Sequence, residues 1–307
     1  MKLNIIKNSK YFYIFSGTLV LVSILSLIAW GLKPGIDFTG GSFLELNFTA
    51  DRPVTDEIQK SLSALDLGEL KIQESGEKNV ILRFKHIDEE THQKIISKVK
   101  ENFKSEKDSA NVVQEERFES VGPIIGKELR DRSWLAIFLA SFMIIAYIAY
   151  AFRKVSKPVA SWKFGVTAVV ALSHDILIVT GAFSLLGHLA GVEVDSLFIT
   201  ALLTILGFSV HDTIVVFDRT RENLSKHYSS DFDQVVNDSV NQTLIRSINT
   251  SVTILLVLTT LYIFGGSTIS NFVLALIIGI VIGTYSSIFV ASTLIVSWHN
   301  WAKRLKK

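Results

Sequence analysis

The apolar positions of this chain gather into long runs, with polar stretches between them. A run of roughly 18 or more apolar residues is long enough to cross a bilayer as a helix. Six such runs stand at about 11–32, 134–152, 164–187, 196–217, 248–264 and 272–297. The fifth is short, and Ile245 and Ile248 extend it inward. The first follows Lys2, Lys7 and Lys10, as the core of a signal peptide would. Its apolar run is about twice the usual length for that, and no small-x-small cleavage site follows it. Trp30-Gly31-Leu32-Lys33-Pro34 reads as an interfacial ending, so an uncleaved anchor is expected. Pro34, Pro53, Pro123 and Pro158 all lie outside the runs, so proline kinks are not part of the design.

Residues 33–133 carry shorter periodicities. Ser42 to Thr49 alternates Phe43, Glu45 and Asn47 with Leu44, Leu46 and Phe48, a half-buried strand. Pro53 to Leu65 has Ile58, Leu62 and Leu65 on one helical face, with Thr55 as the expected N-cap. Leu70 to Gln73 and Val80 to Phe84 read as strands around a Ser75-Gly76 turn. Asp88 to Phe103 reads as a second helix and Val112 to Val121 as a last strand. The order β-α-β-β-α-β packs as one sheet with two helices on one face. Between the fourth and fifth runs, residues 229–246 carry an apolar stripe of Phe232, Val235, Val236, Val240 and Leu244 behind Asp231 and Asp233. That pattern predicts a short amphipathic helix at the membrane surface. The expected fold is an α-helical membrane protein with six transmembrane helices and an α+β domain between the first two. Its parts are residues 1–32, 33–133, 134–297 and a basic tail at 298–307.

Composition adds the exclusions. The chain has 307 residues, 49% hydrophobic and 20% charged, with no cysteine and a net charge of +2. Its mean hydropathy is +0.38. Disorder is excluded by the apolar content, and a disulfide scaffold by the missing cysteines. The near-neutral total argues against a nucleic-acid partner. That total hides two unlike parts: residues 33–133 hold 16 basic and 20 acidic residues, and the remainder 15 and 9. The basic residues outside 33–133 sit at Lys2, Lys7 and Lys10, at Arg153, Lys154, Lys157 and Lys163, at Arg219, Arg221, Lys226 and Arg246, and at Lys303, Arg304, Lys306 and Lys307. The connections around 188–195 and 265–271 have none. By the positive-inside rule both termini are cytoplasmic and residues 33–133 lie outside.

Ionisable residues at membrane depth cost about 2.5–3.5 kcal/mol each on insertion scales, so those present ask for a use. The chain has His174-Asp175 in the third run, His211-Asp212 in the fourth and Arg246 at the start of the fifth. At about 1.5 Å per residue, Asp212 lies ~9 Å from the cytoplasmic end, counted from Asp218, and Asp175 ~18 Å, counted from Lys163. Asp212 and Arg246 can meet if the fourth and fifth spans are neighbours. A cation that approaches and retreats makes a carboxylate release and take up a proton, which the membrane potential can drive. The plainer readings are a static Asp212–Arg246 lock, a snorkelling Arg246, an Asp175 bonded to nearby hydroxyls, and packing roles for His174 and His211. Gly279 and Gly283, with Ser286 and Ser287 a turn on, read as close helix packing. Ser251, Thr253, Thr259 and Thr260 either bond neighbouring helices or wet a cavity.

Several of these segments resemble a known family. Gly35-Ile36-Asp37-Phe38-Thr39-Gly40-Gly41 after the first run resembles the signature of the SecD/SecF family. So do Val121-Gly122-Pro123 with Gly126-Lys127-Glu128-Leu129, and His174-Asp175. The 17-residue run GFSVHDTIVVFDRTREN at 207–223 resembles its SecF branch, as do Thr243 to Ser247 and Tyr262 to Gly266. The likeness covers essentially the whole chain, and its length suits a separate chain rather than a SecDF fusion. It implies a non-enzymatic, cofactor-free accessory subunit of the Sec translocase in the bacterial inner membrane. Such a subunit pairs with SecD, works beside the SecYEG channel with room for a YajC-like subunit, and uses proton-motive force to move unfolded preproteins through the lipid bilayer. It also implies the resistance-nodulation-division (RND) architecture, six helices per half with a ferredoxin-like outer domain. By motif position the family's functional Asp falls on Asp212 and its functional Arg on Arg246, and Asp175 matches the span-three position. The family carries Asn or His before the span-four Asp, and His211 here either tunes proton transfer or fills space. Gly35, Gly40 and Gly41 permit tight turns, and Asp37 reads as a turn-former. Two other classes stay open: an RND-type exporter of lipid or small molecules, and a metal-dependent intramembrane hydrolase built on His174, Asp175, His211 and Asp212. The absence of H-E-x-x-H speaks against the hydrolase. Coupling by H⁺ or by Na⁺ is not decided.

Overall fold

The structure, a computed structural model, describes residues 3–49, 52–103, 113–151, 159–226 and 231–305. The expectations placed on Lys2, Arg153, Lys154, Lys157, Pro158, Lys306 and Lys307 fall outside the described residues. In chain order the elements are α1 (Ser9–Ala29), α2 (Ile36–Thr39), β1 (Gly41–Phe48), α3 (Thr55–Leu62), β2 (Lys71–Ser75), β3 (Asn79–Phe84), α4 (Glu89–Asn102) and β4 (Val113–Val121). They continue with α5 (Pro123–Ala151), α6 (Ser161–Ala190), α7 (Ser196–Lys226), α8 (Phe232–Phe264), α9 (Ser267–Ser286) and α10 (Ser292–Arg304). The chain divides into two compact units, Pro34–Ser133 and the remainder.

The Pro34–Ser133 unit holds an antiparallel sheet of order β2-β3-β1-β4, the ferredoxin-like arrangement of a split β-α-β-β-α-β chain. Alternation along β1 sends Leu44, Leu46 and Phe48 into one core with Val80 and Leu82 of β3, Ile58 and Leu62 of α3, and Ile95 and Val99 of α4. On the other face of β1, Phe43 lies under the guanidinium groups of Arg83 and Arg117, at 5.5 and 5.0 Å. Val54, not Thr55, stands at the cap of α3. Asp88 caps α4, accepting a 3.0 Å bond from the Thr91 amide. Hydrogen bonds from Thr91 hold the Asp88 carboxyl below the usual carboxylate range.

The glycine signature has a steric cause here. Gly40 has φ 73°, and a Cβ built on it would lie 2.8 Å from Pro123 Cα. A Cβ on Gly126 would lie 2.9 Å from the Gly40 amide nitrogen and 3.3 Å from the Asp37 carbonyl oxygen. The GIDFTGG and VGPxxG segments therefore meet backbone to backbone, and neither side has a flexible side chain that could give way. Gly40→Ala combines a glycine-only backbone conformation with overpacking, and is expected to destabilise this unit by about 2–4 kcal/mol. Proteolysis within 34–133 in the intact protein should accelerate, and an unchanged rate would contradict the contact.

Helix α1 of the second unit is inverted relative to a helix of a soluble bundle, beside an apolar core that holds Phe164, Phe217 and Ile295. On α1 the buried residues are Ser16, Ser23 and Ser26, while Ile14, Leu21, Leu25 and Ile28 are exposed. In lipid the apolar side needs no cover, and small residues let backbones approach. Gly181 of α6 lies against Ser23, with no room for a Cβ, and Ser184 Oγ donates to the Ser26 carbonyl at 2.9 Å. Gly279 and Gly283 of α9 do the same against Ile205 and Ser209 of α7. Among the described residues, six helical stretches are long and apolar enough to cross a membrane. Several outrun the apolar runs that announce them: α5 begins at Pro123, and α7 reaches Lys226. Hydropathy marks bilayer thickness, whereas the backbone ladder continues into water.

Segment 231–246 differs from its expectation. It opens α8 without a break, so no separate short helix exists among the described residues. Phe232, Val235, Val236 and Val240 are buried in the protein's own core, with Ile5, Phe217 and Ile295. Asn237 and Asn241 of α8 also hold the Leu3 backbone, with Asn241 accepting from the Leu3 amide at 2.8 Å and donating to its carbonyl at 2.9 Å.

Candidate functional site

Three helices meet around Asp175, which is fully buried on α6. Its Oδ2 accepts from Ser209 Oγ of α7 at 2.5 Å and from Ser286 Oγ of α9 at 2.8 Å. Its Oδ1 lies 2.9 Å from Nδ1 of the neighbouring His174. Ser286, expected only to ease packing, is thus a ligand of the carboxylate. Immediately after it, Ser287–Ala291 forms a π-helical turn joining α9 to α10. Such turns interrupt the regular ladder and recur at functional sites. Within this one, Ser287 Oγ bonds Thr213 Oγ1 at 2.8 Å and donates to the Ser209 carbonyl at 3.1 Å. His174 is buried, with its Nε2 lacking a hydrogen-bond partner, and its ring centre lies 6.5 Å from that of Tyr285. Tyr285 continues to Ser16 of α1 at 3.1 Å.

Asp212 lies one turn beyond Ser209 on α7, and its surroundings are different. It is buried, its Oδ1 accepts a single long bond of 3.4 Å from Ser247 Oγ of α8, and its Oδ2 has no hydrogen-bond partner. A buried carboxylate oxygen without a donor is costly. One turn along the seam from Ser247, Ser251 of α8 bonds Thr284 of α9 at 2.5 Å, which settles its role as a helix contact. Thr253 and Thr260 are exposed and bond carbonyls of their own helix.

Arg246 and His211, expected beside Asp212, make no hydrogen bond or ion pair with it. Arg246 is exposed and forms no ion pair with Asp212. The cause is helical geometry. Ser247 takes the position on α8 that faces α7, and its predecessor is rotated about 100° away from it. His211 is exposed beside the buried Asp212. The estimated depths also change. Asp175 bonds Ser209, and Ser209 precedes Asp212 by three residues, about 4.5 Å of rise, so the acids share one polar layer. Among the described residues no three His, Asp or Glu side chains cluster as a metal set, so the four-residue hydrolase site does not assemble. Ser209 and Ser247 escape sequence reading, although each lies inside one of the two signature runs, Ser209 at helical spacing from Asp212.

Comparison with known proteins decides the family. The family model described as "Protein export membrane protein SecD/SecF, C-terminal" matches residues 98–301. The protein translocase subunit SecF of Thermobaculum terrenum is 46% identical over 300 residues, covering 94% of this chain and 92% of that one. The chain belongs to the SecD/SecF family. Within it, the translocase subunit SecDF of Bacillus subtilis is 36% identical over 304 residues, which cover 97% of this chain and 38% of its own length. The crystal structure of SecDF from Thermus thermophilus, a translocon-associated membrane protein, matches with a TM-score of 0.80 at 33% identity. That match covers 98% of this chain and 39% of the SecDF chain. This SecD/SecF protein thus corresponds to about two fifths of each SecDF relative. It is a multi-pass membrane protein, and the resemblance read from its signature runs is met. In SecD/SecF terms the specific run at 207–223 is a stretch of α7, and it brings Ser209 and Asp212 into one buried layer.

Proposed function

We propose that this chain is a SecF-type accessory subunit of the Sec protein-export machinery that pairs with SecD beside the SecYEG channel, and that proton-motive force works through Asp212. The observation that carries this reading is the buried carboxylate oxygen of Asp212 that no donor satisfies. A carboxylate held that way is poised either to take a proton or to take a cation. Arg246 lies on the next helix, one residue before Ser247, and a rotation of α8 by about 100° about its axis exchanges Ser247 for Arg246 at Asp212. Protonation favours the present arrangement, and release of the proton favours the one with the guanidinium close. His211, exposed at the adjoining position, can pass a proton to or from solvent. Asp175, with three hydrogen-bonding neighbours, holds the layer in which this exchange takes place, and His174 fixes its orientation.

Fusion of the matching segment into SecDF chains supports SecD as the partner. The charge pattern supports cytoplasmic termini and an outer 34–133 unit, with YajC-like subunits and unfolded preproteins as further contacts. Affinity purification from native membranes is expected to recover SecD and SecYEG with this chain. Recovery as an independent homo-oligomer without Sec components would point instead to an RND-type exporter.

A further inference from the structure

A cluster outside the acid layer lies where α6 begins and α10 ends. Val170 and Leu294, with Trp298 and Trp301, line a groove of about 370 Å³ whose exposed wall is almost wholly apolar. Trp162 packs edge-on against Trp298, at 5.1 Å and 85°. The Lys163 ammonium stands 5.4 Å from the centre of the Trp298 ring. Lys163 has no carboxylate partner among the described residues. The facing last turn of α10 adds Lys303 and Arg304, and the first turn of α6 contains no acid. Asp231, just before α8, and Asp233 of α8 both act on His299 of α10, and Asp233 accepts from Asn300 with both its oxygens, at 3.0 and 2.9 Å.

Helix α6 and the continuous run of α9, the π-helical turn and α10 are each long and apolar enough to cross the membrane. The tryptophans mark the headgroup level, where an indole has one apolar side and one wet side. From Leu294 to Trp301 the groove runs about 10 Å along α10, inward from three cations toward the hydrocarbon. Apolar length below, unpaired positive charge above, and an aromatic collar between are complementary to one amphiphile of negative charge. We propose that this groove binds an anionic phospholipid, with an acyl chain along Val170 and Leu294 and the headgroup phosphate at Lys163. The bound lipid splints α6 to α10.

The site carries its own reporters. The chain has five tryptophans, and Trp30→Phe with Trp134→Phe leaves only the three at the groove. This full-length variant is placed in phosphatidylcholine vesicles containing a minor fraction of dibrominated phosphatidylglycerol, or of dibrominated phosphatidylcholine. Phosphatidylglycerol should quench at an about fivefold lower fraction, the worth of one basic residue beside an anionic headgroup. Lys163→Gln should remove that preference, Lys163→Arg should keep it, and Lys226→Gln at the end of α7 should leave it unchanged. Equal quenching by the two lipids would overturn the proposal and leave the groove to bulk lipid or a partner helix. A loss with Lys226→Gln as large as with Lys163→Gln would overturn it too, by reducing the effect to general surface charge.

Discussion

Asp212→Asn is expected to abolish the part of preprotein export that depends on a transmembrane gradient, and to leave membrane insertion and SecD association intact. The substitution keeps the shape of the side chain, and the amide oxygen still accepts from Ser247, whose present bond is a long one at 3.4 Å. The amide loses the ability to take up or release a proton, and with it any reason for Arg246 to be drawn in. The change costs little in folding, because the Asp212 Oδ2 that becomes an NH₂ group satisfies no partner now. Function and stability are therefore separable at this position, which is rare for a buried carboxylate. The assay is translocation into vesicles from cells carrying the variant, with a proton gradient and a sodium gradient imposed in turn. Loss of stimulation under one gradient only identifies the coupling ion. Full stimulation in the variant under both would remove Asp212 from the mechanism. Arg246→Gln should reproduce the defect, since an arginine that only anchors its helix at the interface would be replaceable.

Much of this molecule is written in its hydropathy, and the parts that are not share one physical cause. Six apolar runs announce six helices because a bilayer demands about 20 apolar residues for each crossing. Alternation in 42–49 and helical spacing at Ile95, Ile96 and Val99 announce the small sheet domain, since only one face of each element is covered there. Inside the membrane unit that rule weakens, because an apolar side chain is equally at home against lipid, and on α1 the buried residues are serines. Ser209, Ser247 and Ser286 look like filler in the sequence, yet they hold or approach the two acids. The amphipathic stripe at 232–240 misleads in the opposite way. It has the pattern of a surface helix, but Ile5 and Phe217 of the same chain cover it. The pairing of Asp212 with Arg246 is legible only as adjacency of helices. The rotation of α8 that presents Ser247 in place of its neighbour is a fact of packing, and single-residue spacing cannot announce it.

Asp175→Leu is expected to unfold or scramble the membrane unit, whereas Asp175→Asn is expected to leave it near its native stability. Ser209, Ser286 and His174 all converge on this carboxylate, so it ties α6, α7 and α9 at one point. Bonds between membrane helices are worth about 0.6–1.7 kcal/mol each; two of the three, from Ser209 and Ser286, cross between helices, and losing them costs about 1–3 kcal/mol before the leucine is accommodated. Accommodation is poor because Gly283, a turn from Ser286, already places α9 against Ser209, where an added Cβ would lie 3.0 Å from the Ser209 Cβ. Asparagine keeps an oxygen for the serine hydroxyls, and its amide can face His174 in the tautomer that accepts. Thermal unfolding of the purified chain in detergent separates the two substitutions, and a leucine variant as stable as the native chain would show that the triple contact does not hold the bundle. Export by the asparagine variant then distinguishes the two acids. If gradient-dependent export persists in Asp175→Asn and fails in Asp212→Asn, the layer has one carboxylate that holds and one that moves charge, as their unequal hydrogen bonding implies.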